Sequence, residues 1–209
     1  LHYQDEGDAV FEDIRLGVEL VRCPWNEETL LLGILLRNES DRPLPARANL
    51  ELAIKPDMVR SYRLIGYADP AGGASAKAPV PQSLGPGKSN YVLYELFPAK
   101  QAIFDEHWVI LKAGLVVESG AEGSPRGLIS PVTSPPRDWV GASGNFQAAS
   151  VLSAYGLLLR DSSYRGALDP SGLRILAERA MKAVPGADLD RREALQLVLD
   201  TLTLLEAGQ

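Results

Sequence analysis

The sequence predicts an α+β protein: an antiparallel, Ig-like β-sandwich over residues 1–138, followed by a small C-terminal helical bundle over residues 139–209 packed on it. Three observations carry this. Apolar residues alternate with a period of two in the first half. They recur at helical spacing in the last third. Strand-like and helix-like runs are segregated rather than interleaved, so the βαβ repeat of a parallel sheet is missing.

The strands come first. In "IRLGVELV" (14–21), Ile14, Leu16, Val18 and Leu20 fall on one face and Arg15, Gly17 and Glu19 on the other, the pattern of a sheet with one wet side. "LLLGILL" (30–36) is a continuous apolar run suited to a buried strand, and far short of the roughly 18 residues of a membrane span. "NLELAIK" (49–55) points Leu50, Leu52 and Ile54 inward, and residues 58–67 form the next strand. "YVLYELF" (91–97) and "HWVILKAGLVV" (107–117) are rich in aromatic and branched side chains, which favour strands. Turn-forming clusters separate these runs: "NESDRP" (38–43), the long Pro/Gly-rich stretch 68–88, which reads as a mobile surface loop, and "ESGAEGSPRG" (118–127). "SPVTSPPRD" (130–138) reads as the connection to the helices. The strands at 14–22, 29–36, 49–55 and 58–67 are expected to share one core. "CPWN" (23–26) would be the turn between the first two, with Pro24 ending a strand and Trp25 covering the sandwich edge.

The helical signals follow. In "NFQAASVLSAYGLLLR" (145–160), Ala148, Val151, Leu152, Tyr155, Leu158 and Leu159 recur at helical spacing. Asp169-Pro170 reads as an N-cap and first-turn proline, opening a helix with Leu173, Leu176, Ala177 and Ala180 on one face and Pro185-Gly186 as its stop. Asp190 and Glu193 have capping-box spacing before Leu195, Val198, Leu199 and Leu202.

Composition excludes some classes. The 209 residues are 45% hydrophobic and 23% charged, ordinary globular usage that argues against wholesale disorder. A net charge of −6 and a pI near 5.0 argue against a nucleic-acid partner, which needs clustered Lys and Arg to neutralise phosphates. The single cysteine, Cys23, excludes an intrachain disulfide, which fits the cytoplasm and equally a bacterial envelope protein that uses none. Because the chain starts at Leu1 rather than Met, an N-terminal piece is expected to have preceded it, with room for a signal or anchor segment. The oligomeric state is not legible.

Reactive motifs do not assemble in the sequence. "GPGKS" (85–89) has Gln82 where a phosphate loop needs its first glycine, and a strand rather than a helix follows, so it reads as a turn leading into that strand. His2 lies in a tail, and His107 shares a strand face with Val109, Leu111 and Ala113, the setting of a structural histidine. Cys23 has no histidine near it in sequence and reads as a small buried hydrophobe. The acidic runs "DEGD" (5–8), "FED" (11–13), "FDEH" (104–107) and "DLD" (188–190) match no metal template, and neither metal nor cofactor is expected. "NES" (38–40) fits a glycosylation sequon.

Several segments resemble bacterial YfbK-like proteins that contain a von Willebrand factor A domain. "ELVRCPWNEETLLLGILL" (19–36) resembles their N-terminal Cys-Pro-Trp-Asn segment. "LELAIKPDMVRSYRLIGYAD" (50–69), "GPGKSNYVLYEL" (85–96) and "NFQAASVLSAYGLLLRDSSYRG" (145–166) resemble, in order, their C-terminal domain of unknown function. The family places its A domain between these two parts. Here only "RNESDRPLPARAN" (37–49) separates them, and no Asp-x-Ser-x-Ser metal loop occurs, so metal-dependent adhesion does not carry over. The resemblance implies a non-catalytic protein-interaction or scaffold module of a bacterial envelope, with a protein as partner. Tyr62, Arg63 and Tyr67 on one strand, together with Trp25, are the candidate partner-binding residues. Two alternatives are a carboxylate-based hydrolase using Asp105 and Glu106 beside His107, and a sugar- or small-molecule-binding sandwich that stacks its ligand on Trp25, Trp108 or Trp139.

Overall fold

The computed structural model describes residues 9–11, 14–43, 48–66, 77–78, 84–102, 109–117, 126–133 and 135–207. The protein is α+β, with nine strands followed by three helices among these residues. The strands are β1 (Ala9–Phe11), β2 (Ile14–Arg22), β3 (Leu30–Asn38), β4 (Ala48–Ile54), β5 (Val59–Leu64), β6 (Lys77–Ala78), β7 (Ser89–Pro98), β8 (Val109–Val117) and β9 (Arg126–Thr133). The helices are α1 (Gly144–Leu159), α2 (Pro170–Ala183) and α3 (Leu189–Ala207). By compactness the chain divides into two units. One comprises residues 1–20 and 29–136, the other residues 21–28 and 137–209.

In the first unit the strands form two sheets, ordered β1-β2-β3-β7-β5 and β6-β4-β8-β9. The pairings of β3 and β5 with β7, and of β4 and β9 with β8, are antiparallel. One hydrophobic cluster draws on both sheets. It includes Leu16, Val18, Leu32, Ile34, Tyr94 and Leu96 from the first and Leu52 and Val132 from the second. The expectation that the strands at 14–22, 29–36, 49–55 and 58–67 share one core is met, with Leu16, Leu32, Leu52 and Val59 all in this cluster.

Two departures have physical reasons. The face of β2 expected to be wet is largely covered: Gly17 and Val21 are buried and Arg15 and Glu19 half-buried. β3 is likewise closed on both faces, because Leu31 on the side away from the cluster is fully buried, as a continuous apolar run implies. β9 occupies residues expected to form the end of a turn and the start of the connection to the helices. It pairs with β8 along its length, with Pro131 opposite Lys112. A proline is tolerated there because β9 is the edge of its sheet.

The sequon is structural. Asn38 is buried, and its side-chain amide donates to the carbonyls of Arg42 (2.6 Å) and Leu84 (2.9 Å). Its side-chain oxygen accepts from the Ser40 N–H (3.0 Å) and hydroxyl (2.6 Å). "GPGKS" is the turn expected. The Lys88 N–H donates to the Gly85 carbonyl (3.1 Å), Pro86 follows Gly85, and Gly87 supplies the positive φ (66°) that a type II turn needs at its third position.

The second unit joins the loop 21–28 to the helices. Val21 bridges Arg137 in parallel, and the Arg22 N–H donates to the Arg137 carbonyl (2.9 Å). Trp25, expected over the edge of the strands, is buried in this unit. α1 is capped by Ser143, whose hydroxyl accepts from the Phe146 N–H (3.2 Å). Its buried face carries Phe146, Ala148, Val151, Ala154 and Leu157; of the residues expected at helical spacing Ala148 and Val151 are on it, whereas Leu152 and Leu159 are exposed. No charged residue lies between Gly144 and Leu159, so the sequence held no polar side from which to set the phase.

α2 begins as read. The Asp169 carboxylate accepts from the Gly172 N–H (2.6 Å), Pro170 occupies the first turn, and Leu173, Ala177 and Ala180 are buried. α3 is capped two residues earlier than the expected Asp190–Glu193 pair, by Asp188, which accepts from the Arg191 N–H (3.3 Å). Leu195, Val198 and Leu202 form its buried stripe. Arg192 donates to the carbonyls of Met181 (2.9 Å) and Val184 (3.3 Å), satisfying the end of α2. Arg174 holds Glu206 (3.0 Å) and Thr203 (3.2 Å), tying α2 to the far end of α3.

Candidate functional site

The run "RSYRLIG" becomes β5 and the turn after it. β5 is the edge of its sheet and pairs with β7 in a register that sets Tyr62 opposite Leu96, Arg63 opposite Glu95 and Leu64 opposite Tyr94. Alternation then sorts the side chains. Tyr62 and Leu64 pack against the hydrophobic cluster, where the Tyr62 ring meets Tyr94 edge-on, with centroids 6.1 Å apart and planes at 72°. Such geometry suits the ring quadrupoles. Arg63 and Glu95 stand on the opposite face.

Glu95 is fully buried, which makes it the most demanding charge among the described residues. A carboxylate out of water costs several kcal/mol unless it is paired and hydrogen-bonded. Arg63 supplies the pairing: its Nε donates to Oε2 at 2.7 Å and its Nη2 lies 2.5 Å from the same oxygen. Thr29 supplies the rest, its hydroxyl donating to Oε1 at 2.9 Å. Three segments are thereby cross-linked: the edge strand β5, the strand β7, and the residue leading into β3. Both carboxylate oxygens are engaged and no face is open to a substrate, so the group acts as a clamp rather than a general base.

Tyr94 is the second unusual group. Its side chain is fully buried and its hydroxyl has no hydrogen-bond partner among the described residues. Burial, and secondarily the neighbouring Tyr62, pushes the phenol well above its ordinary value of 10.0.

In the second unit, Trp25 and Trp139 are 5% and 4% exposed, and neither indole N–H finds an acceptor among the described residues. Two buried indoles offer no stacking platform for a ligand. Gly166 has φ 57°, and a Cβ there would lie 2.8 Å from the Trp25 carbonyl oxygen, so the end of "DSSYRG" sits directly against "CPWN". An open depression of about 600 Å³ at the start of α3 is lined by Pro185, Ala187, Asp188, Leu189 and Asp190. Asp188 there is committed to Arg191 and to its cap, so no convergent reactive set results.

Of the candidate partner-binding residues, then, Tyr62 is half-buried on the core, Arg63 is held in the ion pair, and Trp25 is buried in the other unit. Tyr67 lies outside the described residues, as do Asp105, Glu106, His107 and Trp108. Sequence reasoning missed Glu95, Thr29 and Asn38 as organising residues. The available signal was an acidic residue inside an otherwise apolar and aromatic strand, "YVLYELF", which only a buried cation could justify. Among the described residues, no group of three or more His, Cys, Asp or Glu could hold a metal ion. No helix among them is long and apolar enough to cross a membrane.

No protein-family model matches the chain, and no curated protein matches it. Among solved structures it is similar to a GH20 exo-β-N-acetylglucosaminidase from Vibrio harveyi in complex with N-acetylglucosamine, at 19% identity and a TM-score of 0.32. That match covers 58% of this chain and only 18% of the enzyme. It is also similar to AvmM, which catalyses macrocyclization in alchivemycin A biosynthesis, at 14% identity and a TM-score of 0.30, over 63% of this chain and 98% of that one. Likenesses this loose assign neither fold nor activity.

Proposed function

We propose that the chain is a non-catalytic protein-interaction or scaffold module of an envelope-associated, YfbK-like protein that lacks the metal-dependent A domain. In this reading the two sheets stack face to face as an Ig-like sandwich, and the helical unit presents the partner surface. One observation carries it. Among the described residues, nine large hydrophobic side chains are exposed, and all nine fall between Val140 and Leu205. Contiguous exposed apolar surface is where soluble proteins meet partners. The clearest stripe is on α1, where Leu152 (40% exposed), Tyr155 and Leu159 (56%) follow one another at helical spacing on a helix without charge. "CPWN" and the end of "NFQAASVLSAYGLLLRDSSYRG", each within a segment that resembles the family, also touch through Gly166, which supports reading them as parts of one inherited unit.

Tyr62, Arg63 and Trp25 then serve as packing and clamp residues rather than as the partner surface. The test compares the full chain with a Leu152→Asp/Leu159→Asp variant of unchanged circular dichroism, each immobilised in a native extract. A protein retained in near-stoichiometric amount by the wild type and lost by the variant is expected. Equal retention by both overturns the assignment of the surface. A specific turnover in a hydrolase screen, abolished by one substitution, overturns the non-catalytic reading.

A further inference from the structure

We draw no further inference here: the strongest candidate, the outward face of α3 with Leu197 and Leu204, is an unpartnered apolar helix face and nothing in the structure shows what covers it.

Discussion

Replacing Tyr94 by phenylalanine should make the protein more stable. The hydroxyl is buried in the hydrophobic cluster without a hydrogen-bond partner. Leaving such a group unsatisfied costs about 1–3 kcal/mol relative to hydration in the unfolded chain. Tyr94→Phe removes the oxygen and keeps the ring, including its edge-on contact with Tyr62 at 6.1 Å. The void left is no larger than one water and costs back a few tenths of a kcal/mol, at about 24 cal/mol per Å³. The net gain is about 1–2 kcal/mol, or a rise in Tm of about 2–8 °C at roughly 2–4 °C per kcal/mol for a chain of this size.

The same substitution has a signature in pH. Burial raises the Tyr94 phenol above its unfolded value of 10.0, so the fold keeps the neutral form. Stability is intact below pH 10 and falls as the pH climbs from there toward the folded value, by up to about 1.4 kcal/mol per pH unit, because only the unfolded chain releases this proton. Tyr94→Phe should flatten that alkaline limb as well as raise the plateau below it. Urea melts of both proteins between pH 7 and 11 measure the two effects together. A variant destabilised by 1 kcal/mol or more, with the alkaline limb unchanged, would refute the reasoning by showing that the hydroxyl is satisfied.

Arg63→Met should cost about 3–5 kcal/mol, since it strands a fully buried carboxylate, while Arg63→Met combined with Glu95→Leu should recover most of that loss. A double variant no more stable than the single one, in chemical denaturation, would contradict this. Asn38→Asp sets a carboxylate oxygen against the Arg42 and Leu84 carbonyls and should lose on the order of 2–4 kcal/mol; a change below 1 kcal/mol in the same assay would show that the amide is not organising this turn. Gly166→Ala meets both a positive φ and a Cβ contact of 2.8 Å with the Trp25 carbonyl. It should cost at least about 2 kcal/mol and shift Trp25 fluorescence, and a silent substitution would mean that the loop 21–28 is not seated on this glycine.

The sequence by itself determined the order and type of most elements. Local chemistry is enough for that: β2, β3, β4 and β7 announce themselves by apolar alternation or continuity, and α2 by Asp169, Pro170 and a clean stripe of Leu173, Ala177 and Ala180. What it could not determine depends on partners far along the chain. β9 was hidden by Gly127 and Pro131, because only its place at a sheet edge makes Pro131 acceptable. The buried phase of α1 was undetermined, because a helix without charge has no side that water must hold. The role of Glu95 required knowing that Arg63, 32 residues earlier, and Thr29, 66 residues earlier, arrive within hydrogen-bonding reach of its two oxygens. Trp25 was assigned to the strands that flank it in sequence, yet it is buried with the helices, where the Arg137 backbone and Gly166 meet its loop. Alternation and capping act over a few residues and are written locally. Burial of a charge, the seat of an indole and the tolerance of an edge proline are set by what the folded chain brings beside them, and only the tertiary structure decides that.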